Sequence, residues 1–238
     1  MVSLLLTLAS ALSILKSDNE CNFTDVSSID ESVYCTELYS VGFDKNLKVP
    51  LWAVTELKAK VVDTPVLNRT TKNYYNYITN SKKLDYKDVN EKGLDYAHLI
   101  SAYNASRSRF GYKYYFADIN RVPMQKTFNR TGLWAKFEEL ELQSQELRGL
   151  ITSISGYIPE KDVFYKILYD KKSNSVLSLL ANPKKANASL RSSIVSLATI
   201  ESLSGRRILS NIERYNEIRL GVSLSEKVWA TSALNQRP

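Results

Sequence analysis

The side chain best suited to acid–base chemistry in this sequence is His98, the only histidine among 238 residues. Imidazole titrates near neutral pH, so it can take up or release a proton under physiological conditions. A single histidine excludes a two-histidine acid–base pair and a multi-histidine zinc site. A lone histidine is more often structural or merely exposed, so its sequence context has to decide between these interpretations.

Amide and carboxylate side chains that suit metal or phosphate chemistry follow His98 in several short segments. Taken singly, each has an ordinary explanation, since Asn129 is also a candidate helix N-cap or glycosylation site and Glu138 or Glu139 a candidate solvated helix position. Their order along the chain carries more information than any one of them. The segments are Gly93-Leu-Asp-Tyr-Ala-His-Leu-Ile100, Tyr115-Phe-Ala-Asp-Ile-Asn-Arg-Val-Pro-Met-Gln125, Phe128-Asn-Arg-Thr-Gly-Leu-Trp134 and Phe137-Glu138.

In this order the segments resemble the DNA/RNA non-specific endonucleases, the ββα-metal or His-Me-finger group that includes endonuclease G. In that family a D-R-G-H motif leads to a strand ending near S-N-x-x-P-Q, and an N-x-x-x-W segment then opens a helix bearing L-E. The resemblance covers roughly residues 35 to 212, with single-residue insertions before Gln125 and Trp134. The matching positions are Asp95, His98, Asn120, Pro123, Gln125, Asn129, Trp134 and Glu138.

The resemblance implies an α+β fold of the ββα-metal type, with a central, mostly antiparallel sheet flanked by helices. It also implies a metal-dependent endonuclease that cleaves DNA and RNA. His98 would activate water as the general base, and Asn129 would hold a hydrated Mg²⁺, for which Mn²⁺ could substitute. Trp134 is expected in the core. A catalytically silent relative that binds nucleic acid or another polyanion is the alternative, and a secreted interaction protein of shared ancestry is a third.

The remaining site residues are also carried over from the resemblance. Glu138 would hydrogen-bond the waters of the metal, Asp95 would order the turn around His98, and Asn120 would orient the histidine or the backbone. The nine-residue spacing places Asn129 and Glu138 on opposed faces of one regular helix, a conflict that disappears if Asn129 lies in a loop before the helix. Arg69 lies near the place of a family arginine that contacts phosphate.

The chain departs from the family motif at Tyr96 and Ala97, which replace the arginine and glycine of D-R-G-H. Tyrosine donates a hydrogen bond but carries no positive charge, and loss of one preorganised donor typically slows an enzyme about a hundred- to thousand-fold. Arg107, Arg109 and Arg121 are other cations near the site in sequence. The motif alone does not rank them.

Hydrophobic periodicity predicts two β-hairpins and two helices. The hairpins are residues 37–43 with 51–62, and 162–169 with 175–181. A helix is predicted over 131–150, and a second over 198–205 with Gly205 as its stop. The predicted apolar stripe of the first helix is Leu133, Phe137, Leu140, Leu147 and Leu150.

A formal charge of +7 and a pI near 9.2 suit a polyanion partner such as DNA or RNA. We predict a signal peptide or apolar segment over residues 1–16 and one nuclease-like domain over 17–238. A buried N-terminal helix is the alternative to the signal peptide. Secretion agrees with a local Cys21–Cys35 disulfide and with five sequons, whereas no stable membrane association is expected. The oligomeric state is left open, with a homodimer as one option.

Overall fold

Strands dominate the part of the chain that the structure, a computed structural model, describes. That part comprises residues 26–27, 32–36, 38–57, 92–105, 115, 117–210, 212 and 229. The strands are β1 (Val26–Ser27), β2 (Ser32–Cys35), β3 (Ser40–Asp44), β4 (Val49–Leu57), β5 (Leu94–His98), β6 (Arg121–Gln125), β7 (Ile151–Ile158), β8 (Val163–Asp170), β9 (Ser175–Ala181), β10 (Ile194–Val195) and β11 (Arg207–Ile208). The α-helices are α1 (Ala102–Ala105), α2 (Lys126–Arg130), α3 (Leu133–Arg148) and α4 (Leu197–Ser204), and short 3₁₀ turns cover Asp118–Asn120, Pro159–Lys161, Pro183–Lys185 and Arg191–Ser193.

The main sheet has seven strands in the order β10-β9-β8-β7-β4-β3-β2, and every neighbouring pair is antiparallel. Its adjacent strands β3 and β4, and β8 and β9, are the two hairpins predicted from the sequence. Strands β5 and β6 form a separate antiparallel hairpin, and β1 pairs with β11. The predicted α+β class with a mostly antiparallel sheet is confirmed.

Each face of the main sheet carries a hydrophobic core, because side chains alternate along the strands. On β8, Phe164 and Leu168 pack with α3, α2 and the β5–β6 hairpin, whereas Tyr165 and Ile167 pack with α4. Burying apolar surface of this kind stabilises a fold by roughly 25 cal/mol per Å². The hairpin that carries His98 is therefore held against one face of the sheet by the larger core.

Helix α3 agrees with its predicted range, but its apolar stripe was only partly right. Leu147 is 70% exposed and Leu150 is 46% exposed, so neither is a core residue. The buried face instead continues through the polar residues Glu141, Ser144 and Gln145. Counting hydrophobic residues failed here because the helix packs on polar positions of the sheet, which no local pattern reveals.

Helix α4 is also confirmed, with clear signals at both ends. The Ser196 side chain accepts a hydrogen bond from the Thr199 backbone amide at 3.1 Å, which caps the N-terminus. Gly205 ends the helix with a φ of 68°, a left-handed conformation that glycine adopts without steric cost.

Asn129 lies before the long helix, as its spacing from Glu138 required, but in a short helix of its own, α2, and not in a loop. The chain breaks at Thr131 and Gly132 before α3 begins, and the Leu133 amide donates to the Ala186 carbonyl at 2.8 Å. Asn129 and Glu138 therefore belong to two different helices. This break removes the conflict between their spacing and one continuous helix.

Several predictions fall on residues outside the described part: the segment 1–16, Cys21 and Arg69. Cys35 is buried, and the described residues include no free cysteine. The signal peptide, the Cys21–Cys35 pair and secretion stay predictions. No helix within the described ranges is both long and apolar enough to cross a bilayer.

We expect Gly132→Ala to destabilise the junction of α2 and α3. A Cβ at this position would lie 2.8 Å from both the Phe128 Cα and the Thr127 carbonyl oxygen, which are backbone atoms that cannot rotate away. Overpacking of this kind costs about 1–3 kcal/mol. Urea denaturation measures the loss, and Gly205→Ala, which meets nothing within 4 Å, is the control for a purely conformational cost of about 1 kcal/mol. Equal stability of Gly132→Ala and the wild type would contradict the crowding.

Candidate active site on the hairpin and its helix

His98 is the last residue of β5, and its cross-strand neighbour on β6 is Arg121. The imidazole lies against the Tyr115 ring, with ring centroids 3.9 Å apart and planes inclined by 32°. His98 retains some exposed surface. The site therefore places an imidazole, whose Nε2 is buried, between an aromatic ring and a strand that carries a cation.

The surroundings of His98 keep its imidazole neutral. Burial among protein atoms, and secondarily the positive charge of Arg121, lower the pKa of His98 from 6.5 to about 3. Both effects oppose protonation, because a charged ring loses hydration and meets a second cation. A neutral imidazole has a ring nitrogen able to accept a proton, which a general base requires.

Asn120 holds together the chain segments around His98. Its Oδ1 accepts a hydrogen bond from the Ile100 amide at 2.9 Å, and its Nδ2 donates to the carbonyls of Ile100 and Tyr115, each at 3.1 Å. The Leu99 amide also donates to the Asn120 carbonyl at 3.2 Å. Asn120 is fully buried. Its hydrogen bonds fix the backbone after His98 and also Tyr115, whose ring lies against the His98 imidazole.

Asp95 connects strand β5 to helix α2. Arg130 donates to both oxygens of its carboxylate, from Nε at 2.6 Å and from a terminal nitrogen at 2.8 Å, and Asn129 Nδ2 donates at 3.3 Å. Burial alone raises the pKa of Asp95, but the hydrogen bonds from Arg130 and Asn129 and the charges of Arg130 and Lys126 lower it below its usual value. Asp95 thus ties a strand to a helix and does not only order the turn at His98.

The contact with Asp95 fixes the orientation of the Asn129 amide. Because Nδ2 donates to the carboxylate, Oδ1 is directed elsewhere, and the Asn129 side chain makes no other hydrogen bond among the described residues. A hard cation prefers such an oxygen, and Mg²⁺ usually keeps most of its waters. The described residues contain no group of three or more His, Cys, Asp or Glu side chains placed for a metal. The Asn129 Oδ1 oxygen is thus of the chemical type that binds a hydrated hard cation.

Glu138 lies on α3, one helical turn after the buried Trp134, which belongs to the core as predicted. Burial raises the pKa of Glu138 to about 7, an effect that the charge of Lys166 opposes and that of Glu141 reinforces. Its neighbour Glu139 is exposed. Glu138 can therefore change its charge close to physiological pH.

Tyr96 occupies the place of the motif arginine and is only 9% exposed. Its cross-strand neighbour is Pro123, so β5 and β6 present Tyr96 and Pro123 beside His98 and Arg121. Among the arginines that the structure describes, Arg121 is the one whose charge acts on His98. The other candidate cations, Arg69, Arg107 and Arg109, lie outside the described residues.

The structure groups the predicted residues in three places. His98 and Asn120 share the end of β5, Asp95 and Asn129 share its beginning, and Glu138 lies on α3. Asp95 and His98 are three positions apart on β5, so the two groups of contacts lie about 10 Å from each other along the strand. Arg130, Tyr115 and Lys166 were missed from the sequence, since nothing in their local context marks a long-range partner.

The described sequons differ in accessibility. Asn129 donates to Asp95, Asn104 is buried and Asn187 is exposed. Ordinary surface exposure therefore favours modification at Asn187 and not at the proposed metal ligand.

A family model described as DNA/RNA non-specific endonuclease matches residues 17–214 of the chain. Among solved structures 127 chains match, including one from the crystal structure of the EndoG/EndoGI complex. That match has a TM-score of 0.64 and 17% sequence identity and covers 80% of this chain and 89% of the other. At this identity the likeness shows a shared fold. Among curated proteins, no sequence matches significantly.

We expect wild-type protein to lose stability relative to His98→Asn as the pH falls from 6.5 towards 3. The unfolded state binds a proton on His98 below pH 6.5 and the folded state does not, so acid favours unfolding by at most about 1.4 kcal/mol per pH unit. Above pH 6.5 this contribution vanishes. Urea denaturation at pH 7, 5.5 and 4.5 measures it, and Tyr115→Ala should diminish it. Parallel pH dependences for wild type and His98→Asn would argue against a buried neutral imidazole.

Proposed function

Because the chain belongs to the DNA/RNA non-specific endonuclease family, we propose that it hydrolyses phosphodiester bonds of DNA and RNA with a bound divalent metal ion, with Mg²⁺ as the expected cofactor. His98 is the proposed general base and Asn129 the proposed metal ligand. The observation that carries the proposal is that strand β5 positions both groups, His98 directly and Asn129 through its hydrogen bond to Asp95. One end of β5 presents a neutral imidazole, and the other end fixes the amide of Asn129 through Asp95.

His98 takes a proton from the attacking water in this proposal. A base with a pKa of about 3 is weak, but the low value describes the protein without substrate. A bound phosphate would add negative charge beside the ring and offset the charge of Arg121. Both changes raise the pKa of His98 towards the range in which a general base works efficiently. Substrate binding would thus activate the base.

Asn129 would supply the protein ligand, with its Oδ1 oxygen presented by the hydrogen bond from Nδ2 to Asp95. A bound divalent cation supplies Lewis-acid stabilisation of charge on the phosphate and the leaving oxygen. Asp95 and Arg130 hold the amide at the edge of the hairpin, because Arg130 engages both carboxylate oxygens. The proposed ligand is therefore oriented before substrate arrives.

Glu138 would accept hydrogen bonds from waters of the site, which requires its ionised form. Its pKa of about 7 makes that form dominant only above neutral pH. Activity should then rise with pH through the neutral range because of Glu138. Protonation of His98 in the protein without substrate would affect kcat/KM only at much lower pH.

Arg121 is the proposed replacement for the motif arginine. Tyr96 stands in the motif position and has no charge to offer a phosphate, whereas Arg121 on the paired strand lies directly across from His98. A guanidinium binds phosphate oxygens through a planar set of donors. We therefore assign substrate binding beside the base to Arg121.

The second candidate function is binding without catalysis. The protein would then be a catalytically silent relative that binds DNA, RNA or another polyanion. Two observations favour it: the buried Tyr96 at the motif position, and the Tyr115 ring that lies against the imidazole of His98. The net charge of +7 would drive such binding, which should weaken steeply with salt. Salt-sensitive binding without cleavage under any divalent cation supports this candidate.

We expect plasmid DNA and single-stranded RNA to be cleaved only when Mg²⁺ or Mn²⁺ is present. His98→Ala should abolish cleavage, Asn129→Ala should raise the metal concentration required, and Glu138→Gln should remove the rise in kcat/KM around pH 7. Glu139→Gln is the matched control for Glu138→Gln, because Glu139 is exposed on the same helix. Cleavage by His98→Ala at the wild-type rate would refute the assigned base.

We expect Arg121→Met to lower kcat/KM by about a hundred- to thousand-fold, the usual cost of losing one preorganised donor to a developing charge. Arg207→Met is the control, since it removes one exposed positive charge on β11. Steady-state cleavage of a short fluorescent duplex at fixed ionic strength separates this loss from general electrostatics. If both variants lose activity equally, Arg121 acts only through the net charge of the protein.

A further inference from the structure

A polar seam runs between α3 and the main sheet, through a region that is otherwise apolar. This polar seam comprises Glu138, Glu141 and Ser144 on the helix and Ser153, Ser155 and Lys166 on the sheet. The Lys166 ammonium lies 2.9 Å from Glu141 Oε2, and Ser153 Oγ donates to Glu141 Oε1. The side chains of Lys166 and Glu141 are 0% and 2% exposed. Two opposite charges are therefore sealed inside the core.

Lys166 stands at a position of β8 where the strand pattern calls for an apolar residue. Phe164 and Leu168, two residues away on either side, belong to the core beneath α3. The Ser153 and Ser155 side chains on β7 share this face, because Ser155 is the cross-strand neighbour of Lys166 and Ser153 that of Leu168. The sheet thus presents a polar strip to the helix.

Two contacts of Lys166 with α3 bracket the position of Glu138 on that helix. Trp134, Glu138 and Glu141 stand at positions i, i+4 and i+7 of α3 and so form one stripe on the helix. The Lys166 ammonium contacts both ends of that stripe, at 2.9 Å from Glu141 Oε2 and 5.3 Å from the centroid of the Trp134 ring. Glu138 lies between these two contacts, and the charge of Lys166 acts on it.

Stability alone does not account for this arrangement. Removing two charges from water costs several kcal/mol per ion, and well-packed apolar residues in place of a buried pair are often as stable or more so. Two further hydroxyls of the seam, Ser144 Oγ and Ser155 Oγ, are buried without a hydrogen-bond partner in the described part. The seam therefore carries polar groups at an energetic cost that folding does not require.

We propose that Lys166 and Glu141 are positioning residues for Glu138: the ammonium, fixed between Glu141 and the Trp134 ring, sets the place and the charge of the Glu138 carboxylate. The inference rests on the proposed function only in treating Glu138 as part of the nuclease site. The charged groups that act on Glu138 in the described residues are Lys166 from β8 and Glu141 from its own helix. The facing residues of β7, Ser153 and Ser155, are uncharged.

Opposite changes at the two charges should move the titration of Glu138 in opposite directions. We expect Lys166→Met to raise the titration midpoint by about one pH unit or more, because a neighbouring cation is lost. Glu141→Gln should lower it, because a neighbouring anion is lost. The measurement is the ¹³C NMR titration of full-length protein labelled at the glutamate carboxyl carbon, with the Glu138 signal assigned by Glu138→Gln.

A matched control removes another ion pair between the same helix and strand. Arg148 and Asp170 join the end of α3 to the end of β8 at 2.9 Å, ten residues beyond Glu138. Arg148→Met should leave the Glu138 midpoint unchanged. If Lys166→Met fails to fold, the Lys166→Met/Glu141→Gln double variant carries no unbalanced buried charge and should still titrate above the wild type, because Lys166 acts on Glu138 more strongly than Glu141 does. An unmoved midpoint in folded Glu141→Gln and in the double variant would overturn the proposal.

Kinetics separates this inference from the proposed function. In an active protein, the double variant should lower kcat by about ten- to a hundred-fold at pH 7 with little change in KM, and shift its acidic limb upward. The single variant Lys166→Arg keeps the positive charge and should therefore lose less kcat than the double variant. Opposite NMR shifts in a protein that cleaves nothing would reject the nuclease function and keep the positioning role. Normal cleavage and a normal pH profile in the double variant would reject the positioning role alone.

Discussion

The Asp95 carboxylate is the contact on which the candidate site depends, since it joins the strand that carries His98, the proposed base, to the helix that carries the proposed ligand. Arg130 engages both of its oxygens, and Asn129 donates to one of them. Arg130 is 66% exposed, so this ion pair adds little to the stability of the whole protein. Its effect is local, because it fixes the direction of an amide whose oxygen is otherwise free to rotate. Specific geometry at a site therefore needs only a modest free energy.

The hydrophobic core supplies the rigidity that this local contact lacks. Ala97, Val122 and Met124 of the hairpin and Phe128 of α2 all belong to the core against the main sheet. The three elements of the ββα unit thus share one apolar anchor, and the polar side chains lie at its margin. Gly132 allows α2 and α3 to meet with almost no space between their backbones. Any rotation of α2 would disturb the packing of Phe128 and the contact at Gly132. The core therefore holds Asn129 in its position.

Much of this architecture could be predicted from the sequence, and the failures share one cause. Both hairpins of the main sheet, α3 and α4 follow from periodicity and end signals that lie within a few residues of one another. The pairing of Asp95 with Arg130 spans 35 residues, and that of Glu141 with Lys166 spans 25, so no local pattern reveals them. Leu147 misled because its helical spacing was right, while the sheet beneath α3 offered polar partners instead. Sequence patterns locate the elements, whereas long-range polar contacts decide which face is buried.

The proposed exchange of the motif arginine at Tyr96 for Arg121 on the paired strand would move a charge within the hairpin without changing its fold. A side chain at this position lies among buried residues, where an arginine would need a partner to offset its desolvation. Tyrosine fills the same space without that cost. A guanidinium on the paired strand, at Arg121, keeps a positive charge beside His98 and remains within one cross-strand distance of the base. The cost is a lower imidazole pKa, which a phosphate between the two groups would relieve. His98 and Arg121, the proposed base and the proposed phosphate-binding cation, would thus be coupled through the anion between them, because its negative charge offsets the repulsion by which Arg121 lowers the pKa of His98.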